Sequence, residues 1–450
     1  MSRLTARSRE LLLLVFATGL LLLMLFGLET SQGRTLSTEM LYIVGGFIGV
    51  YAIAHVAIAF LAPHADQVML PTVALLNAVG LVVIYRIDLA ERPGYGPLAE
   101  RQMLWSLVGV GLMVLTLIVV REHQALSRYS YLLGLVGLIL LALPLVWPQP
   151  PGYEEARIWL WLGPFSIQPG EFSKILLLIF FAQLLAQKRA LFTVAGKRFL
   201  GLTFPRLRDL APILMVWAIA ILIMAVSNDF GPALLLFATV LGMVYFATGR
   251  ASWLAIGLAL VAIGGYAVYQ VSSKIQERVS NFIDPFADFE GIGNQPANAL
   301  IGLSWGGITG TGLGYGHPEL VPVAHSDYIL AALGEELGFV GIAAVLCLFG
   351  IFITRGFRTA MQVRDSYGKL LASGLALTIA IQIFVVAGGV SAMLPMTGLT
   401  TPFMSAGGSS VMANYILLGL LLRISNSANR PADYDAVAAG TARPEVVGAR

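Results

Sequence analysis

Apolar runs close to twenty residues long recur along almost the whole chain, separated mostly by short polar connections. They predict twelve spanning helices, near 11–28, 40–61, 68–86, 103–120, 129–147, 172–187, 210–227, 231–248, 252–270, 328–353, 370–390 and 408–423. A helix rising 1.5 Å per residue needs about 20 such residues to cross a bilayer core. The fold class is therefore an all-α polytopic membrane protein, and the shortest runs fit a tilted or partly re-entrant path.

Composition agrees with this pattern. Of 450 residues, 57% are hydrophobic and only 12% charged, about half the charge of a soluble domain and too little to cover a soluble surface. The net charge of +3 comes from basic residues in short loops, so nucleic acid is not expected as a partner. The one cysteine, Cys347, lies in an apolar run, which excludes an internal disulfide and any cysteine metal site. The start, basic and then apolar, resembles a signal peptide, but no small-x-small cleavage site follows. Glu29, Arg34 and many further spans point to a retained anchor.

Basic residues set the orientation. Arg3, Arg7 and Arg9 favour a cytoplasmic N-terminus. Twelve spans then place 188–209 (Lys188, Arg189, Lys197, Arg198, Arg206, Arg208) and 354–369 (Arg355, Arg358, Arg364, Lys369) inside as well. The C-terminus is cytoplasmic, with 424–450 expected as a disordered tail. Three long loops, 148–171, 271–327 and 391–407, fall on the outer face. The middle one is far longer than an ordinary connection and rich in aromatics, which argues for function rather than disorder. Its beginning, VSSKIQERVSNFI, has an amphipathic helical rhythm. No tandem repeat and no inverted pair of broken helices is visible.

Candidate chemistry collects in these outer loops. Asp284, Asp288 and Glu290 stand beside a membrane interface, where a partly desolvated carboxylate is suited to take a proton from a hydroxyl. An Asx turn and solvated loop charges explain them equally well. The glycine-rich run Gly306–Gly316 follows no strand and has no Walker lysine, which excludes a dinucleotide loop and leaves tight turns or amides offered to a phosphate. Ser326 or Asp327 suits a helix cap, and Glu335 and Glu336 enter the next span, where acids must face water, protein or a partner. In the first outer loop Arg157, Trp159, Trp161, Gln168, Glu171 and Lys174 combine an aromatic belt with an i,i+3 charge pair. Lys174 either meets a phosphate or snorkels. Asp229 caps a helix or answers Lys174 or Arg157. Gly407–Ser410 permits close packing or exposes hydroxyls to an anion. His55, His64, His123, His317 and His325 have no metal-binding spacing.

Taken in order, several of these stretches resemble one family. They are Ala156-Arg157-Ile158-Trp159, Gln168-Pro169-Gly170-Glu171-Phe172-Ser173-Lys174, Asn228-Asp229-Phe230-Gly231, Asp284-Pro285 to Gly293, Gly306–Gly316, His325-Ser326-Asp327-Tyr328, Glu335-Glu336-Leu337-Gly338, and Leu394-Pro395 through Ser410. The chain looks like the shape, elongation, division and sporulation (SEDS) membrane proteins, the RodA, FtsW and SpoVE type, and most like the actinobacterial elongation subgroup. The resemblance spans about 68–423 and implies a ten-span core, with 1–67 as two added N-terminal helices.

The resemblance also implies an activity: a peptidoglycan glycosyltransferase that polymerises lipid II at the plasma membrane and releases undecaprenyl diphosphate. It implies a class B penicillin-binding protein and other elongation or division machinery as partners. The family's key loop aspartate falls on Asp288, which would activate the acceptor hydroxyl or help place a divalent ion such as Mg2+ or Mn2+. Arg157 and Lys174 would face the diphosphate, while Trp159, Gln168, Glu171, Asp229, Gln295, His325, Asp327, Ser405 and Ser409 would shape the substrate site. Phe289, Asn294, Asn298, Ala299, Val323 and Ala406 depart from the family's usual residues and remove hydroxyls and amides. Two other functions stay open at this stage. One is a lipid II flippase; the other is a weakly active or non-catalytic relative that acts as a scaffold or activator.

Overall fold

The computed structural model describes residues 5–34, 37–90, 97–150, 157–163, 165–193, 198–199, 202–203 and 207–430. Its helices are α1 Ser8–Ser31, α2 Thr38–Leu61, α3 Met69–Asp88, α4 Leu98–Val119, α5 His123–Arg128, α6 Ser130–Val146, α7 Pro169–Thr193, α8 Leu207–Val226, α9 Phe230–Thr248, α10 Ser252–Val271, α11 Ser273–Ile283, α12 Asn294–Gly306, α13 Ile329–Gln362, α14 Ser366–Val390 and α15 Gly408–Ala428. Each of the twelve expected spans coincides with one of these helices. Ten are long and apolar enough to cross a membrane, and α6 and the Met215–Val226 part of α8 are shorter apolar helices. This is a multi-pass membrane protein with an all-α core. Two short hairpins decorate it: β1 (Leu160–Leu162) with β2 (Phe165–Ile167), and β3 (Arg198–Phe199) with β4 (Leu202–Thr203). The expected tail beyond Arg430, Ala156 and the side chains of the basic stretch 189–209 lie outside the described residues.

Burial separates the helices by role. α3, α7, α14 and α15 have their apolar residues buried nearly all round and form the centre, whereas α10 is almost wholly exposed. A helix apolar on every face but not packed by protein must be covered by lipid. Exposed Cys347 on α13 fits the same environment.

Polar contacts at both ends fasten α1 and α2 to the rest. At the cytoplasmic end Arg7 donates to the Ala62, Pro63 and Ala65 carbonyls and pairs with Glu10, and His55 Nδ1 lies 2.6 Å from Glu10. Arg7 is therefore a buried lock and not a free surface charge. At the outer end Ser37 Oγ and Tyr85 Oη both donate to Glu29, at 2.6 and 2.5 Å.

The long outer loop is largely structured. It contains α11 and then α12, a 13-residue helix packed on the start of α13. α13 is not one continuous span: its backbone breaks at Gly338, where φ is +67°. The half-helix before the break is buried throughout, and there Glu335 and Glu336 face protein. Glu335 Oε1 accepts from the His317 amide at 2.6 Å, and Glu336 accepts from the Gly314 amide and pairs with Arg86 at 3.1 Å. A Cβ at Gly338 or Gly310 would run into the other strand of this crossing. The glycine run thus serves close backbone approach. Gly408 serves close packing of another kind, because a Cβ there would meet the Trp105 ring, whereas at Gly407 a Cβ would make only ordinary contacts.

Candidate functional site

The amphipathic stretch forms α11, capped by Ser272, whose Oγ accepts from the Ile275 amide. Lys274 and Arg278 are four residues apart and therefore share one face. That face turns inward: Lys274 Nζ donates to the Asn228 carbonyl at 3.4 Å and Arg278 Nη1 to the Thr397 carbonyl at 3.1 Å. One short helix thus ties the α8–α9 turn to the 391–407 loop.

A cavity of about 160 Å3 opens beside this helix. Arg278, Asn281, Gln295, Asp327 and Tyr328 supply its polar wall, and Pro285, Ile292 and Leu394 its apolar one. Asp327 does not cap α13, which starts without a side-chain cap. Its carboxylate accepts from Ser326 Oγ at 2.8 Å, and burial pushes its pKa up against that bond and the nearby Arg278. Asp229, at the start of α9, is pushed up to about 6, first by burial and then by Glu171, with Lys274 and Arg278 opposing. Asn228 beside it holds φ at +57°, a conformation asparagine tolerates better than most residues. Glu171 and Lys174 form a buried pair, 2.7 Å apart, on the first turn of α7. Lys174 therefore does not snorkel.

Asp288 does not line the cavity; it sits in the turn between two residues that do, Pro285 and Ile292. Its side chain is exposed, and its carboxylate oxygens accept from the Gly291 and Ile292 amides at 3.1 and 3.2 Å. The turn it organises carries Pro285 and Ile292 into the cavity wall. Asp284 makes the expected Asx turn, accepting from the Phe286 amide at 3.0 Å. Among the described residues no three His, Cys, Asp or Glu side chains gather around one point.

The other expected residues lie apart from this cavity or inside packing seams. Ser409 Oγ accepts from the Gln168 amide at 2.9 Å, joining the β1–β2 hairpin to α15. Ser405 is buried, donating to the Ser326 carbonyl at 2.6 Å and accepting from the Thr401 amide at 2.8 Å. Arg157 is exposed, reaching the Leu145 carbonyl at 3.4 Å, and the Trp159 carbonyl accepts from Gln149. His325 borders a different outer cavity of about 350 Å3 with Arg34, Glu39, Asp88 and Glu319, where burial and Arg101 lower its pKa. The residue that sequence reasoning missed is Arg278. Its only signal was the i,i+4 spacing with Lys274 in the stretch with an amphipathic helical rhythm.

Comparison with known proteins adds to this picture. Residues 66–430 match the family FtsW, RodA, SpoVE, described as "Cell cycle protein". The chain is similar to the peptidoglycan glycosyltransferase RodA of Mycobacterium tuberculosis (strain H37Rv), at 49% identity over 95% of this chain and 92% of that protein. It is 30% identical to stage V sporulation protein E of Bacillus subtilis, over 80% of this chain and 96% of that one. Among solved structures, a chain from a study of polymerization and crosslinking by a peptidoglycan synthase complex superposes with a TM-score of 0.64. It is 27% identical and covers 82% of this chain and 99% of its own. The rod shape determining protein RodA of Thermus thermophilus superposes with a TM-score of 0.58 at 25% identity, over 82% of this chain and 98% of its own.

Proposed function

The chain belongs to the FtsW, RodA and SpoVE family of cell cycle proteins, and from that premise we propose that it is a peptidoglycan glycosyltransferase polymerising lipid II into glycan strands. The observation that carries this reading is a polar, charge-lined cavity on the outer face of a membrane bundle, with Asp288 in the exposed turn between two of its wall residues, Pro285 and Ile292. Lipid II presents its sugars and diphosphate at the level of the membrane surface, where this cavity lies.

In the proposed reaction the 4-hydroxyl of the acceptor sugar attacks the donor's anomeric carbon. The new C–O bond forms as the bond to the diphosphate oxygen breaks. Asp288 takes the hydroxyl proton, and undecaprenyl diphosphate leaves with the bonding pair. The two amides that bond Asp288 fix its carboxylate in the turn. Arg278, with Lys274 one turn away on α11, offers positive charge to the leaving diphosphate, and charge already fixed in place needs no reorganisation at the moment of reaction. Lys174 acts there only through its pair with Glu171. Gln295 and Asp327 hold sugar hydroxyls. Residues 1–67 form an addition to the 68–423 core. Crosslinking is left to a partner, for which we propose a class B penicillin-binding protein.

A flippase reading finds less support. Buried charges collect at the two ends of the bundle, as in Arg7–Glu10 and Arg86–Glu336. Polar groups buried between the ends include the neutral Asn77, Ser106, Tyr51 and Tyr415. The test is glycan formation from labelled lipid II by purified protein with and without its penicillin-binding partner. Polymer in either condition is expected; its absence in both would contradict the glycosyltransferase reading and favour the scaffold function.

A further inference from the structure

On the cytoplasmic side, a second cavity lies between the C-terminal end of α9, the C-terminal end of α13 and the first turns of α14. It measures about 690 Å3, within the range of roughly 300–1,000 Å3 typical of ligand pockets. Its wall is mainly apolar, with Phe246, Phe357, Met361 and Leu370, and Lys369 and Ser366 are its polar lip. Phe246 and Phe357 meet edge to face, 5.8 Å between ring centroids, and shape one side.

The free charge beside it is basic. Lys369 lines the cavity and Arg358 follows the lining residue Phe357 on α13; both are exposed, and neither side chain has a hydrogen-bond or ion-pair partner among the described residues. The acid nearby, Asp365, is already engaged: its Oδ2 is 2.7 Å from His123 Nε2 and its Oδ1 accepts from the Gly368 amide at 2.7 Å. These contacts hold its pKa below the usual carboxylate range. It keeps its charge but turns it toward α5 and its own helix.

We propose that this cavity is a binding site for an anionic phospholipid of the inner leaflet, with an acyl chain against Phe246, Phe357 and Met361 and the phosphodiester at Lys369 and Arg358. The two chemistries meet at the depth where a phospholipid changes from chain to headgroup. Basic pockets between spanning helices on the cytoplasmic side have the complementary charge for such headgroups. A zwitterionic lipid such as phosphatidylcholine brings its own cation beside the phosphodiester and answers the two protein cations less fully than a lipid of net negative charge. The site is independent of the outer cavity and of the reaction proposed for it.

The experiment uses the full-length protein exchanged into bilayer discs of phosphatidylcholine with increasing phosphatidylglycerol, followed by gentle extraction and native mass spectrometry. The expected result is at least one phosphatidylglycerol retained in preference to phosphatidylcholine. The double variant Lys369→Glu/Arg358→Glu should weaken retention at least roughly tenfold. Arg121→Glu, an exposed cytoplasmic charge outside the cavity, should leave it unchanged. Met361→Trp fills the apolar side without altering charge and should also lower retention. Equal retention of the two lipids, or equal losses in Arg121→Glu and the double variant, would overturn the proposal. So would retention unchanged by both the double variant and Met361→Trp.

Discussion

Two groups of charged side chains sit at opposite ends of the bundle, and they are built differently. At the cytoplasmic end Arg7, Glu10 and His55 are buried in mutual contact, with the remaining Arg7 donors bonded to carbonyls. At the outer end Asp229, Arg278 and Asp327 approach one another without any of them forming an ion pair within 4 Å among the described residues, and a cavity borders Arg278 and Asp327. The first arrangement is saturated and holds α1 against the core. The second leaves charge unanswered and shifts Asp229 to about 6, a state that a fold tolerates where a ligand completes it. The difference separates a fastening from a site.

The largest expected effect falls on the outer group. Asp288→Asn keeps an acceptor for the Gly291 or Ile292 amide and removes the proposed base. Polymerisation should fall by about 10²–10⁴, the usual range for a general base, with the melting temperature nearly unchanged. A slow, unfolded variant would instead make Asp288 a structural residue. At the inner end the pattern should reverse. Glu10→Ala leaves a buried arginine unpaired, a loss of about 3–5 kcal/mol in stability, while turnover per folded molecule stays near wild type. Calorimetry beside the polymerisation assay reads both.

Asp229 gives the next effect. Its folded pKa of about 6 lies above the ordinary value of 3.8. The folded state therefore holds its proton more tightly than the unfolded chain. The stability that Asp229 contributes is full below pH 4 and is lost as pH rises from about 4 to 6, by at most about 3 kcal/mol. A melting temperature that declines over this interval, with a flatter decline in Asp229→Asn, is the expected outcome; identical curves would contradict it. The smallest effect concerns the seams. Ser409→Ala removes one acceptor from the Gln168 amide and should cost about 1 kcal/mol without changing the rate by more than a few-fold. A large loss of rate would return Ser409 to the substrate site.

The sequence made most of the fold legible because lipid imposes long apolar helices with few alternatives. The twelve runs and the basic loops carried that information directly. α12 was not visible, because 13 residues with Pro296 in the first turn make a weak local signal, and it is burial against α13 that makes the helix. The break at Gly338 was hidden for a similar reason: an apolar run looks continuous across a residue whose positive φ is set by contact with the glycine loop. Glu335 and Glu336 were noticed as costly, and the amides of that same loop are what satisfy them. The site was legible in part. Asp288 stood out through family resemblance, whereas Arg278 gains its meaning from the Thr397 carbonyl, 119 residues away in the chain.

The contrast between fastening and site comes down to one assay. Polymerisation from lipid II is measured per folded molecule for Arg278→Gln and, beside it, Arg7→Gln. The account predicts that Arg278→Gln folds and loses roughly 10²-fold or more in rate, as expected when a charge that stabilises a transition state is removed, while Arg7→Gln melts earlier and keeps its rate. An Arg278→Gln protein that polymerises at the wild-type rate would contradict it.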